Sequence, residues 1–78
     1  MAKELVESSN MSSREFLEGK GPNGTNIIRI TFKNGRVYDY APVPKIAWLK
    51  REFYDSPSKW LNECIKANKE VKFKEVRK

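Results

Sequence analysis

The chain has 78 residues, 38% of them hydrophobic, and carries a net charge of +6 at pH 7. Its single cysteine and its lack of histidine exclude an internal disulfide, a zinc finger, histidine-based metal sites and Ser-His-Asp or Cys-His catalysis. A domain this small rarely encloses a deep, dry pocket, so binding is favoured over catalysis. We therefore expect a single domain over residues 1–78 that is not an enzyme and has no catalytic residues, no metal and no cofactor.

The positive charge lies in the second part of the chain. Residues 1–32 hold four basic and four acidic side chains, and residues 33–78 hold the other twelve basic and six acidic ones, so 12 − 6 gives the whole +6. This asymmetry indicates an anionic partner, and nucleic acid, an acidic protein surface or an anionic membrane each fit it.

Residues 1–10 are predicted to form a polar lead-in to the domain. Lys3, Glu4 and Glu7 interrupt this segment and it has no apolar run, so it is unlike a signal peptide. No stretch approaches the ~20 apolar residues that cross a bilayer. We therefore expect a cytoplasmic protein with no membrane partner.

Three strands are predicted next, over residues 11–18, 25–33 and 36–41. The segment 19–24, rich in glycine and proline, separates the first two strands as a loop. The second strand is the clearest, because it is rich in β-branched residues and its apolar residues alternate. Asn34-Gly35 then predicts a two-residue type I′ hairpin turn.

The predicted turn determines which side chains share a face of the hairpin. One face then holds cations and tyrosines together, namely Arg29, Thr31, Lys33, Arg36, Tyr38 and Tyr40. The other face holds Ile28, Ile30, Phe32, Val37 and Asp39. Aromatic rings stack on bases and cations neutralise phosphates, so the first face is typical of a surface for single-stranded nucleic acid. The alternative is that both tyrosines close the edge of the core beneath a helix, and the sequence does not choose between the two faces.

A first helix is predicted to follow the hairpin over residues 43–54. Pro42 and Pro44 end the sheet because neither can donate to a ladder, and Pro44 suits the first helical turn. The helix is expected to turn one apolar stripe towards the core, formed by Ile46, Leu49 and Phe53.

A second helix is predicted from Ser56 to about residue 67. Ser56 is a good N-cap, and Pro57 suits the first helical position because its missing N–H is not needed there. The apolar face consists of Trp60, Leu61, Cys64 and Ile65. Cys64 is expected to be a small buried hydrophobic side chain, since there is no histidine to activate it.

The segment 69–78 is predicted to be a basic tail or a terminal strand. Alternation from residue 71 to residue 76 favours a strand, and a frayed end is the alternative. The predicted fold class is therefore α+β: a small antiparallel β-meander of three strands, with an optional fourth at the C-terminus, and two short helices after the central hairpin.

A Tyr-x-Tyr motif, Tyr38-Asp39-Tyr40, follows the hairpin turn and ends the run Thr31-Phe32-Lys33-Asn34-Gly35-Arg36-Val37. Ser8-Ser9-Asn10 precedes this run and Val43-Pro44 follows it. A later stretch has the form Ser-x-x-aromatic-x-Asn-x-x-Ile, with Ser56 or Ser58 leading to Trp60, Asn62 and Ile65. In this order the motifs resemble the KTSC domain family, and the resemblance covers roughly residues 8–75. The loop at 19–24 is longer than expected for the family, and the C-terminal end departs from the family's basic-aromatic run.

The resemblance implies a function in RNA binding, the usual suggestion for this family. The family is named for the C-terminal region of some lysyl-tRNA synthetases and also occurs as a small stand-alone protein in bacteria and their phages. The predicted function is therefore a nucleic-acid-binding module, with RNA preferred. Tyr38 and Tyr40 would stack on bases. The cations predicted to contact phosphates are Arg29, Lys33, Arg36, Lys72, Lys74 and Arg77.

The alternative function is that of a phage or prophage accessory protein that binds and modulates a host protein. Trp48, Tyr54 or Trp60 would be natural anchors if exposed, because Trp and Tyr dominate interface hot spots. In either case we expect a monomer.

Overall fold

The computed structural model describes residues 2–6 and 8–76 and contains a five-stranded antiparallel sheet. The strands lie side by side in chain order: β1 (Ala2–Leu5), β2 (Met11–Leu17), β3 (Asn26–Phe32), β4 (Val37–Val43) and β5 (Lys72–Glu75). The predicted α+β class is confirmed, but the predicted count of three or four strands was too low. The optional C-terminal strand is present as β5, and β1 lies in the segment predicted to be a polar lead-in.

The first strand, β1, has a weak sequence signal because it is short and half of its residues are charged. In its antiparallel pair with β2, Lys3 lies opposite Glu15 and Glu4 lies opposite Arg14. Opposite charges that face each other across two strands stabilise the pairing. Charge complementarity therefore explains this strand better than hydrophobic alternation does.

Two short helical segments connect β4 to β5. The first, α1 (Lys45–Leu49), continues as a 3-10 turn, Lys50–Phe53, and the second, α2 (Pro57–Trp60), continues as a π-helical segment, Leu61–Lys66. The predicted start of the second helix is confirmed, because Ser56 Oγ accepts a hydrogen bond from the backbone N–H of Lys59 at 3.3 Å. The first helix begins later than predicted, since Val43 is the last residue of β4. Neither segment in the described part of the chain has the length and apolar run that crossing a membrane requires.

The core lies between the helical segments and one face of the sheet. Trp60 is fully buried, and its indole Nε1 donates a hydrogen bond to the Ala47 carbonyl oxygen at 2.8 Å, which ties α2 to α1. Trp48 stacks on Phe16 of β2 with ring centroids 5.5 Å apart. The other buried members of the core are Met11, Ile28, Ile30, Tyr40, Val43, Leu61 and Ile65.

The apolar stripe predicted for the first helix does not face the core. Ile46, Leu49 and Phe53 are 56%, 47% and 83% exposed, whereas Ala47 and Trp48 are buried. α1 is little more than one turn long and then tightens, so the periodicity that places i, i+3 and i+7 on one face is lost. Burying the large indole ring removes more apolar area from water than any one residue of the stripe would.

The hairpin between β3 and β4 has a three-residue loop, whereas a two-residue turn was predicted. The Phe32 N–H donates to the Arg36 carbonyl oxygen at 2.9 Å and the Gly35 N–H donates to the Phe32 carbonyl oxygen at 3.0 Å, which leaves residues 33–35 in the loop. Gly35 has a φ of 87° and is the one loop residue with positive φ. A type I′ turn requires positive φ at two residues, so the predicted turn type was wrong.

The longer loop shifts the hairpin register by one residue, which moves every side chain of β4 to the other face. Ile30 lies opposite Tyr38 and Ile28 lies opposite Tyr40, so both tyrosines are on the face that the helices cover. Arg29 lies opposite Asp39 on the face without helices, which we call the open face. The predicted face that mixed cations with tyrosines was therefore wrong, and the alternative, with the tyrosines on the helix side, is observed.

A single carboxylate ties β1 to the helical layer. Glu4 Oε1 accepts hydrogen bonds from Arg14 Nε at 2.9 Å and from Arg51 Nε at 3.0 Å, and Glu4 Oε2 accepts one from Arg51 Nη2 at 2.8 Å. The Arg51 guanidinium lies 4.2 Å from the centre of the Trp48 ring, and the Arg14 guanidinium lies 5.0 Å from that of Trp60. The hydrogen bonds from Arg51 are the main cause that lowers the pKa of Glu4, so its carboxyl group is ionised at neutral pH.

Candidate functional site

An open groove lies on the helix side of the sheet, between β4, β5 and the end of the second helical segment. Its volume is about 480 Å³. Four aromatic side chains, two aliphatic ones and one lysine line it: Phe32, Tyr38, Tyr40, Phe73, Ile65, Val71 and Lys66. We call it the aromatic groove.

The four rings of the aromatic groove are in mutual contact. Tyr38 meets Phe32 edge to face with ring centroids 5.7 Å apart, and meets Phe73 in the same way at 6.0 Å. The Tyr40 and Phe73 rings are tilted by 39° at 6.1 Å. Phe73 is 69% exposed and Tyr40 only 5% exposed, so Phe73 presents its ring to solvent while Tyr40 forms the floor of the groove.

The pairing of β4 with β5 brings these rings together. Tyr40 lies opposite Phe73, and Tyr38 lies opposite Glu75 two residues further along. Because side chains alternate between the faces of a strand, Tyr38, Tyr40 and Phe73 all point to the helix side. The Tyr-x-Tyr motif therefore supplies two of the four rings of the groove, and the edge strand supplies a third, Phe73.

Two exposed cations stand near the aromatic rings. Lys66 lies at the end of the π-helical segment and lines the groove. Arg36 precedes β4, and its interaction with the nearby Tyr38 side chain raises the pKa of Arg36. Burial raises the pKa of Tyr40, so its phenol group is neutral at physiological pH. The groove is thus an apolar, aromatic surface with positive charge at its rim.

The open face carries a different set of the predicted site residues. Arg29 donates two hydrogen bonds to the Asp39 carboxylate, at 2.7 Å from Nε and at 3.1 Å from Nη2. Lys74 lies opposite Asp39, and Lys72 lies opposite Ala41, so both lysines share this face. The Arg29 side chain is engaged in an ion pair with Asp39, whereas Lys72 and Lys74 are exposed.

The predicted site residues are therefore divided among three places. Tyr38 and Tyr40 line the aromatic groove, and Lys33 and Arg36 lie at the end of the hairpin. The remaining described ones, Arg29, Lys72 and Lys74, are on the open face. Arg77 lies outside the described residues.

Several residues of the groove were not predicted from the sequence. Phe32, Lys66, Val71 and Phe73 line it, but none of them was assigned to the site. Phe73 did carry a signal, because it alternates with two lysines. That alternation identifies a strand but not the strand with which it pairs, and the partner strand is what places Phe73 beside the tyrosines.

The aromatic anchors expected for a protein partner are mostly in the core. Trp48 and Trp60 are buried, so the expectation that they could be exposed anchors was wrong. Tyr54 is half-buried, and its interaction with the nearby Cys64 thiol raises the pKa of Tyr54 to about 12. Cys64 is itself half-buried and so is less enclosed than predicted.

These features define a small α+β domain with an aromatic groove beside a short edge strand. A family model of the KTSC domain matches residues 7–68, and the chain belongs to this family. Comparison with curated proteins gives no match. The matched range includes Tyr38, Tyr40 and Lys66, whereas Phe73 lies beyond it.

Proposed function

We propose that the protein binds single-stranded RNA, with an unpaired base held in the aromatic groove. The observation that carries the proposal is the groove itself, where four aromatic side chains and Lys66 line an open volume of about 480 Å³. Aromatic rings stack on the faces of unpaired bases, with a gain of about 1–3 kcal/mol per base. The net charge of +6 favours a polyanionic ligand in addition.

The aromatic residues have different roles in this proposal. Phe73 stacks on the base, because its ring is the most exposed of the four. Tyr38 is half-buried and offers a ring edge together with a hydroxyl group next to Arg36. Tyr40 supports the groove from below and does not stack, since it is 5% exposed.

The cations at the rim supply contacts to the sugar-phosphate backbone. Lys66 lines the groove on the helix side, and Arg36 is exposed on the hairpin side. Lys33 is exposed in the hairpin loop and adds charge at the same end of the sheet. Such contacts are independent of base identity, so we expect binding that weakens with salt and shows modest sequence preference.

A single strand fits the groove better than a duplex does. Bases inside a duplex are stacked on their neighbours and cannot offer a face to Phe73. Unpaired bases can turn outward and insert between the edge strand and the helical segment. RNA, rather than DNA, is the usual suggestion for the family to which the chain belongs.

An amide-shift NMR titration of the labelled protein tests the proposal. Hexameric single-stranded RNA and the corresponding duplex are added at low and at near-physiological salt. We expect shifts for Tyr38, Lys66 and Phe73 that saturate with the single strand and persist at the higher salt. The proposal is wrong if the single strand causes no shifts in the groove, or only diffuse shifts that disappear as salt is raised.

A second candidate function is binding to a host protein, and exposed apolar side chains on α1 and on the 3-10 turn that follows it favour this function. These side chains are Ile46, Leu49 and Phe53, which are 47–83% exposed. Apolar side chains exposed together often mark a protein interface. A titration that leaves the aromatic groove unchanged with every RNA would make these apolar side chains the leading candidates for a binding surface.

A further inference from the structure

Phe73 lies at the boundary between two grooves, one on each side of the sheet. It lines the aromatic groove on the helix side. It also lines a smaller groove of about 230 Å³ on the open face, together with its neighbours Lys72 and Lys74. One exposed residue thus connects an aromatic site with a basic one.

The strand that separates the two grooves, β5, is short and lies exposed at the edge of the sheet. β5 has four residues, all exposed, and forms one edge of the sheet, where it pairs with β4 alone. Within residues 2–6 and 8–76, no further element packs outside it. A flexible ligand can therefore pass around this edge from one face to the other.

The lysines beside Phe73 are available for an anionic ligand. Among the described residues, neither Lys72 nor Lys74 forms an ion pair. Asp39 is the acidic residue opposite Lys74, but its two carboxylate oxygens accept hydrogen bonds from Arg29. The ammonium groups can therefore bind phosphates without first breaking an internal contact.

We propose that a single RNA strand crosses the edge of the sheet over β5. One unpaired base occupies the aromatic groove against Phe73, and the phosphates that follow it lie against Lys72 and Lys74 on the open face. This inference rests on the proposed RNA-binding function and assigns the path of the strand. The alternation of side chains along β5 places Phe73 on the helix side and both lysines on the open face, as this path requires.

The path over β5 sets a minimum length for an RNA that contacts both faces of the sheet. A sheet and its side chains are about 10 Å thick, and a nucleic acid strand at the stacked spacing advances by ~3.4 Å per nucleotide. About three nucleotides or more are needed to contact both faces. A mononucleotide reaches the aromatic groove only, so it gains nothing from the two lysines.

The test compares RNA oligomers of one, two, four and six nucleotides with the full chain and two double variants. The first variant combines Lys72→Gln with Lys74→Gln. The control combines Lys50→Gln with Lys59→Gln, which removes the same charge from two exposed lysines that line neither groove. Dissociation constants are measured for each pair at several salt concentrations.

We expect the first variant to lose about tenfold in affinity for the hexamer and less than about twofold for the mononucleotide. Its salt slope should fall by about 1.4, since two phosphate contacts are lost at ~0.7 each for a single strand. The control should lose less than about twofold for every oligomer. Equal losses in the two variants for the hexamer would overturn the path over β5 while RNA binding in the groove stands. Absence of binding by the unmodified chain to every oligomer would overturn the proposed function itself.

Discussion

The rings of Tyr38 and Phe73 meet edge to face with centroids 6.0 Å apart, although the two residues belong to strands that are joined by both helical segments. Tyr38 belongs to the Tyr-x-Tyr motif of β4, and Phe73 is the aromatic residue of the edge strand β5. The aromatic groove therefore exists only when β5 is paired with β4. Its exposed ring is expected to contribute to RNA binding, and its buried rings to the stability of the fold.

Replacing Tyr40 should lower the free energy of unfolding more than replacing Tyr38 does. Tyr40 is 5% exposed and belongs to the core, so Tyr40→Ala should lower the free energy of unfolding by about 3–5 kcal/mol. Tyr38 is half-buried, and Tyr38→Ala should cost about 1–2 kcal/mol. Urea denaturation followed by tryptophan fluorescence measures both losses. Equal losses would show that the two tyrosines are buried to a similar extent and would contradict their different exposure in the structure.

Glu4→Gln should weaken the attachment of β1. The amide retains the shape of the side chain but leaves Arg14 and Arg51 without their anionic partner. We expect the free energy of unfolding to fall by about 1 kcal/mol at pH 7. This is a small loss for such a cluster, because the Glu4 side chain is 35% exposed. Lys3→Gln is the matched control on the same strand and should change stability by less than about 0.5 kcal/mol. An equal effect of both variants would mean that the cluster does not hold β1.

The same carboxylate predicts a pH dependence. The pKa of Glu4 is lower in the folded protein than its ordinary value, chiefly because of its hydrogen bonds with Arg51. Its stabilising effect is therefore fully present above the unfolded pKa of about 4.3 and is lost as the pH falls through the lower folded pKa. From about pH 5 to about pH 3, the unmodified chain should lose more stability than Glu4→Gln. Parallel stability curves over this range would argue against the assignment.

Gly35→Ala should destabilise the hairpin through the backbone alone. Gly35 has a φ of 87°, and a Cβ placed there meets no atom within 4 Å, so no steric contact is added. The left-handed conformation alone should cost about 1–2 kcal/mol. Lys33→Ala, in the same loop but without positive φ, should cost less than about 0.5 kcal/mol. If the two variants have the same thermal midpoint, the three-residue loop is not the conformation in solution.

Local signals predicted those parts of the fold that depend on neighbouring residues. β3 follows from its alternating isoleucines, and the start of α2 follows from Ser56 and Pro57. The hairpin itself was predicted, but its loop gained one residue beyond Asn34-Gly35 and every side chain of β4 changed face. Turn length at this position depends on the φ of a single residue, which composition does not reveal.

Other parts of the fold depend on partners that are distant in sequence. β1 is explained by charges on β2 and by Arg51, so its own four residues carry little information. The outward position of Phe53 follows from Trp48 filling the core in its place. The aromatic groove could not be predicted for the same reason, because Phe73 reaches the tyrosines only through pairing of β5 with β4.

The most direct test of the account is the affinity of Phe73→Ala for a single-stranded RNA hexamer, compared with that of Phe53→Ala. Both rings are exposed, at 69% and 83%, but only Phe73 lines the aromatic groove. RNA binding in the groove predicts a loss of about tenfold for Phe73→Ala, which corresponds to the stacking energy of one base, and less than about twofold for Phe53→Ala. Equal affinities of the two variants, or a greater loss for Phe53→Ala, would contradict RNA binding in the groove.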